Sequence, residues 1–159
     1  MMTQQEVRDL FDYDAESGEL RWRIGKNAGR VAGAVNYKGY RNITVTTERK
    51  TTYRAHRLIW LWVYGEWPTP QIDHENLNKD DNRLSNLRLA SCSQNLANQR
   101  GRRAKSGFKG VRRFGAKWQA AIHLGDKNYH LGMYPTPELA HAAYCEAAVA
   151  AHGKFARKE

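Results

Sequence analysis

Apolar and polar positions alternate from Glu19 to Ile24, with Leu20, Trp22 and Ile24 on one side, and this predicts a strand. Thr3 precedes a short helix that runs to about Leu10, with Gln5 and Glu6 in its first turn. Residues Asp14 to Gly18 are turn material, and Gly25 to Gly33 form a glycine-rich connection. A second strand is expected from Tyr40 to Thr47, with Lys50 to Ala55 pairing back on it. The apolar run from about Ala55 to Tyr64 predicts a helix with Leu58 and Trp62 in the core, stopped by Pro68 and Pro70.

The pattern then changes to strand, polar loop, strand, helix. Gln71 to Asp73 is a short strand ending at His74, Glu75 to Arg83 is a loop rich in Asn and Asp, and Asn86 to Ala90 returns. Ser91 or Ser93 caps a helix that holds Asn95 and Asn98 and decays near Gly101. The basic stretch 101–107 reads as a linker between a first domain, 1–100, and a second, 108–159. In the second, Phe108 to Phe114, Lys117 to Leu124 and Asn128 to Met133 are three strands, and Thr136 with Pro137 opens a helix. Leu139, Ala143 and Ala147 are the ridge expected to lie on the sheet. The fold class is therefore α+β.

Charge narrows the function. The 159 residues are 41% hydrophobic, enough for a packed core, and carry a net charge of +10. No Asp or Glu occurs from Asn82 to Gly125, while Arg83, Arg88, Arg100, Arg102, Arg103, Lys105, Lys109, Arg112, Arg113 and Lys117 do. A solvated face normally mixes signs, so an acid-free run of this kind points to a polyanion, with nucleic acid ahead of an acidic membrane. Cys92 and Cys145 stand far apart and exclude a disulfide framework and a thiolate zinc cage. The apolar run Leu58 to Tyr64 is too short to span a bilayer, and the first residues have no signal-peptide core. A cytoplasmic protein with no membrane partner and no small-molecule substrate is expected.

Phosphodiester cleavage needs a base near neutrality and a cation beside the phosphate. The run Gln71-Ile72-Asp73-His74-Glu75-Asn76 supplies an imidazole in His74 and a hard oxygen ligand for Mg²⁺ in Asp73. Asn95 offers a neutral second oxygen, and Asn98 competes for that place. Asn86 is expected to bridge the loop backbone and keep the His74 ring oriented. His56 reads as a buried structural histidine, Cys92 as a small buried residue, and Trp60, Trp62 and Trp67 as packing aromatics.

Four blocks resemble the HNH homing endonucleases of phages and mobile introns: His56-Arg57-Leu58-Ile59-Trp60, Ile72-Asp73-His74, Asn82-Arg83-Leu84-Ser85-Asn86-Leu87-Arg88 and Ser93-Gln94-Asn95. The resemblance implies a ββα-metal motif over about 71–100. In it His74 is the general base, Asp73 and Asn95 are the metal ligands, and Asn86 is the central asparagine of the catalytic set. Asn95 stands where the family name has histidine. The pieces Ser106 to Arg112, Lys117 to Ala120, Leu131 to Tyr134, Glu138 to Tyr144 and Gly153 to Ala156 resemble a plant-type APETALA2 domain of the sort fused to phage HNH nucleases.

Strand parity points the same way. Trp118, Ala120, Ile122 and Leu124 share the helix side, and Lys117, Gln119, Ala121 and His123 share the other, joined by Arg112, Asn128 and His130. Such a face suits a major groove. The DNA-contacting set is then Arg102, Arg103, Lys109, Arg112, Arg113, Lys117, Gln119, His123 and His130. The expectation is a Mg²⁺-dependent endonuclease that nicks double-stranded DNA as a monomer. The rivals are a DNA-binding regulator without nuclease activity and a protein that acts on RNA.

Overall fold

The computed structural model describes residues 1–47, 49–99 and 106–157. The linker residues 101–105, with Arg102 and Arg103, lie outside the described residues. Among those described, four α-helices and ten strands form a mixed fold of small antiparallel sheets. The chain divides into two compact units, Met1–Ala90 and Ser91–Glu159. That division falls ahead of the linker, so the helix that follows Ser91 belongs to the second unit.

In the first unit, helix α1 spans Gln4–Leu10, and Thr3 and Glu6 cap it reciprocally. Its side chains also finish another helix: Gln4 Nε2 and Arg8 Nε donate to the Trp62 carbonyl at 3.0 and 2.9 Å. That helix, α2, covers Ala55–Tyr64 and buries Ala55, His56, Leu58, Ile59 and Leu61. Gly65 stops it in the left-handed conformation at φ 79°, before Pro68 or Pro70 is reached.

Strand β1, Phe11–Asp14, was not expected; it pairs with β2, Glu19–Trp22, as a hairpin. Ile24 lies beyond the hairpin and is exposed. A two-residue strand β3, Ala34–Val35, flanks β4, Arg41–Thr46, which pairs with β5, Lys50–Arg54. Val7, Phe11, Leu20, Ile43, Leu58 and Ile59 are fully buried and form one core. Against it stand β6, Gln71–His74, and β7, Leu87–Ala90, paired so that Asp73 faces Arg88 and His74 faces Leu87.

The second unit opens with α3, Cys92–Asn98, which Ser91 and Gln94 cap as a box. Cys92 is exposed on it, not buried. Strands β8, Val111–Phe114, β9, Lys117–Leu124, and β10, Lys127–Tyr134, form an antiparallel sheet in the order β10-β9-β8. Helix α4, Pro137–His152, lies on it with Thr136 as its cap. The buried ridge of α4 is Ala140, Tyr144 and Ala148, one position on from the expected Leu139, Ala143 and Ala147; Leu139 is exposed. The reason is Tyr144, the largest side chain on that stretch of the helix, which claims the inward side, and the close approach of Gly110 to its ring leaves no room for a Cβ there. Among the described residues no helix is long and apolar enough to cross a membrane.

Candidate active site and nucleic-acid face

The loop between β6 and β7 is tied down at almost every step. The Leu77 amide donates to the His74 carbonyl at 3.0 Å, and the Glu75 amide donates to the Asn86 carbonyl at 3.0 Å. Asn86 is buried and uses both ends of its carboxamide: Oδ1 accepts from the Asn76 amide at 2.9 Å, and Nδ2 donates to the Asp81 carbonyl at 2.8 Å. Asp81 in turn accepts from Asn76 Nδ2 at 2.7 Å and from Arg83 Nε at 2.8 Å. Arg41 of β4 holds Asp80 through Nε and Nη2, both at 2.9 Å, and so fastens the loop to the neighbouring sheet. Gly18 in the β1–β2 turn has φ 74° and lies against the backbone of Asn82 and Arg83, so only glycine lets that turn come so near.

This loop closes over His74. The residue is 4% exposed, and its Nε2 sits 3.1 Å from Asn82 Oδ1. The rings of Tyr40 and His56 pack against it, with centroids 6.0 and 5.0 Å away. Asn86 thus builds the loop, and Asn82 meets the His74 ring with its carboxamide oxygen. Burial pushes the His74 pKa below its usual value, against the opposing pull of the Asn82 bond and the Asp73 charge, so the ring is neutral at physiological pH. A neutral imidazole in a fixed setting is what a general base requires. His56 is buried, as expected for a structural histidine, and its pKa is lowered to about 3, chiefly by burial.

Asp73, one residue earlier, is 3% exposed and accepts from Arg88 Nε at 2.9 Å. Arg88 Nη1 also lies 3.6 Å from Glu75 Oε2. Among the described residues no group of three or more His, Cys, Asp and Glu side chains gathers for a metal. A hard cation takes one or two protein oxygens and completes its shell with phosphate and water. Asp73 supplies an oxygen donor of that kind. Asn95 is half-buried on α3, in the second unit, whereas Asn98 on the same helix is buried. The side-chain chemistry therefore fits a divalent cation such as Mg²⁺.

The sheet of the second unit has the expected two faces. Ala120 and Ile122 are buried toward α4, while Lys117, His123, Asn128 and His130 are exposed. On the open face one side chain from each strand joins a chain of hydrogen bonds. Arg112 Nε of β8 donates to Gln119 Oε1 of β9, and Gln119 Nε2 donates to His130 Nδ1 of β10 at 2.6 Å. Two of the expected DNA contacts sit elsewhere. Arg113 pairs in register with Trp118 and places its guanidinium 6.0 Å from that ring, on the helix side of the sheet. Lys109 Nζ donates to the Ala97 and Gln99 carbonyls at 2.7 and 2.8 Å and so completes the end of α3. The parity of β8 separates Arg113 from Arg112, a distinction the sequence pattern contains. Nothing in the sequence marks Lys109 as a helix cap.

Residues 53–97 match the model of a family described as HNH endonuclease. The matched segment holds Asp73, His74, Asn86 and Asn95. HNH nucleases generally use a divalent metal. Among solved structures, the chain is similar to the HNH homing endonuclease I-HmuI, described for its binding and cleavage of DNA, at 26% identity and a TM-score of 0.46. The likeness covers 56% of this chain and 51% of that one, so it spans about half of that protein's length. No curated protein matches.

Proposed function

We infer, from a chain that carries an HNH endonuclease segment, that this protein is a divalent-cation-dependent endonuclease of double-stranded DNA. The observation that carries the reading is the buried, neutral His74 held in a braced loop beside the carboxylate of Asp73. His74 takes the proton from the attacking water. Asp73 and Asn95 are the protein ligands of the cation, with Mg²⁺ as the first candidate. When bound, that ion supplies positive charge for the developing phosphorane and the leaving 3′ oxygen. Asn86 keeps the loop that carries His74 in shape. The products are a 5′-phosphate and a 3′-hydroxyl.

The second unit serves as an APETALA2-like DNA-binding module. Its open sheet face, with Arg112, Lys117, Gln119, His123 and His130, carries the positive charge and the hydrogen-bonding groups that a major groove accepts. The basic residues Arg102 and Arg103 add contacts to phosphate. One nuclease site per chain gives a nick by a monomer, and a cytoplasmic, phage-type setting suits such an enzyme.

The test is a supercoiled plasmid incubated with the protein in Mg²⁺, in EDTA, and in EDTA followed by excess Mg²⁺. The reading requires conversion to nicked circles in the first and third samples only. Retention of the supercoiled form in all three, with DNA bound, favours the regulator without nuclease activity.

A further inference from the structure

Gln119 lies on β9, the central strand of the second unit's sheet, and Arg112 of β8 pairs with it in register. Its carboxamide is held from both flanks. Arg112 Nε donates to Oε1, and Nε2 donates to His130 Nδ1 of β10 at 2.6 Å. The arginine decides which way round the amide sits. A guanidinium nitrogen only donates, so the amide oxygen must face Arg112 and the amide nitrogen then faces His130. Turned over, the carboxamide would set its own N–H against the Nε–H, donor against donor.

Oxygen Oε1 has two lone pairs and gives one to Arg112, and Nε2 has two hydrogens and gives one to His130. One acceptor and one donor are left on adjacent atoms of the same amide. In a major groove that pair matches adenine, which shows an N6 donor beside the N7 acceptor. Guanine shows two acceptors there, O6 and N7, and one of them would face Oε1. Cytosine offers only a donor and thymine only an acceptor. The neighbour of Gln119 on the other flank agrees. A register shift between His130 and Gly132 brings Met133 opposite Gln119, and Met133 is 38% exposed. An apolar side chain at this place suits the C5-methyl group of thymine, the partner of adenine.

We propose that Gln119 is a specificity-determining residue that reads an adenine of duplex DNA, with Oε1 accepting from N6 and Nε2 donating to N7, while Arg112 and His130 position its carboxamide. The inference rests on the reading of the open sheet face as the DNA-binding surface. Because the amide cannot turn over, N6 lies toward β8 and N7 toward β10. One orientation of the A·T pair is therefore read and its reverse is not.

The experiment selects duplexes from a random-sequence library with the full-length protein in EDTA, so that no strand is cut, and then measures chosen duplexes by fluorescence anisotropy. The wild type is expected to enrich adenine at one position. Gln119→Ala loses the preference there and keeps it elsewhere. Gln119→Glu, which has acceptors only, moves it toward cytosine, whose N4 donates. His130→Ala weakens the same preference without moving it to another base. In the best wild-type duplex, guanine in place of that adenine should weaken binding about 5- to 150-fold, the range for one bidentate base contact. The analogue 7-deazaadenine, which lacks the N7 acceptor and still pairs with thymine, should weaken binding by the wild type and not by Gln119→Ala. The proposal is overturned if the wild type enriches no adenine that Gln119→Ala loses. It is also overturned, with no variant needed, if the wild type binds 7-deazaadenine at that position as it binds adenine. Failure of the underlying reading looks different: Arg112→Ala, Lys117→Ala and Gln119→Ala then bind every duplex as the wild type does.

Discussion

The rings of His56 and His74 meet edge to face, with centroids 5.0 Å apart and planes at 84°. Two imidazoles this close in a buried setting oppose each other's protonation, and the nearby Arg54 and Arg57 add to that opposition at His56. A consequence for stability follows. In the unfolded chain His56 titrates near 6.5, and in the folded one near 3. Between these values the unfolded state binds more protons, so stability rises with pH there. The contribution of neutral His56 is complete above about pH 6.5 and drains away as pH falls toward 3. Chemical denaturation at stepped pH should show stability falling by up to about 1.4 kcal/mol per pH unit from this residue across the window. His56→Phe should flatten that slope, and an unchanged slope in this variant contradicts the assignment.

Asn86 satisfies two backbone groups of the loop from a buried position. Asn86→Ala leaves the Asn76 amide and the Asp81 carbonyl without that partner. A loss of about 2–3 kcal/mol is expected from unmade hydrogen bonds of this kind. The melting temperature should drop by roughly 5–10 °C, measured by circular dichroism. A shift within 1 °C would mean that the loop holds itself without the carboxamide.

Arg112 and Arg113 are neighbours in sequence and opposites in space. Arg112 lies on the open face in the hydrogen-bond chain with Gln119 and His130, and Arg113 lies beside Trp118 on the other. Arg112→Ala should weaken duplex DNA binding by about 1–3 kcal/mol if it reads a base edge. If it meets a phosphate instead, the salt slope should fall by about 1 with a uniform loss across sequences. Arg113→Ala should do much less in either measurement. Fluorescence anisotropy over a salt series separates the cases, and equal effects of the two variants would count against the face assignment.

The position of the α4 ridge makes a paired prediction about packing. Ala140 is fully buried against the sheet and Leu139 is exposed. Ala140→Leu forces extra volume into a filled space and should cost about 1–3 kcal/mol. Leu139→Ala should stay within about 0.5 kcal/mol. The opposite order in urea melts would restore the ridge that spacing alone suggested.

These elements show where sequence reasoning had purchase. Strand β9 alternates except at Ala121 and stops before Gly125, so Lys117–Leu124 was legible to the residue, as was helix α2 from its apolar run. Strand β1 was not, because Phe11-Asp12-Tyr13-Asp14 follows α1 directly with no glycine or proline to mark a change. The phase of α4 was lost for another reason. Alanines lie on every side of that helix, and small apolar residues all round give no contrast by which to choose a face. At the site, Asp73, His74 and Asn86 stand out by type and spacing. Asn82 does not, since one asparagine in a loop of Asn and Asp resembles the next until the turn of the backbone aims it at the ring.

The central claim is that His74 is the base of a phosphodiester hydrolase. The direct measurement is single-turnover nicking of a supercoiled plasmid by wild type and His74→Ala, with binding to the same DNA followed in parallel. The account predicts that the variant binds as the wild type does and cuts at least about 100-fold more slowly, as loss of a general base requires. Cutting by His74→Ala at the wild-type rate would contradict it.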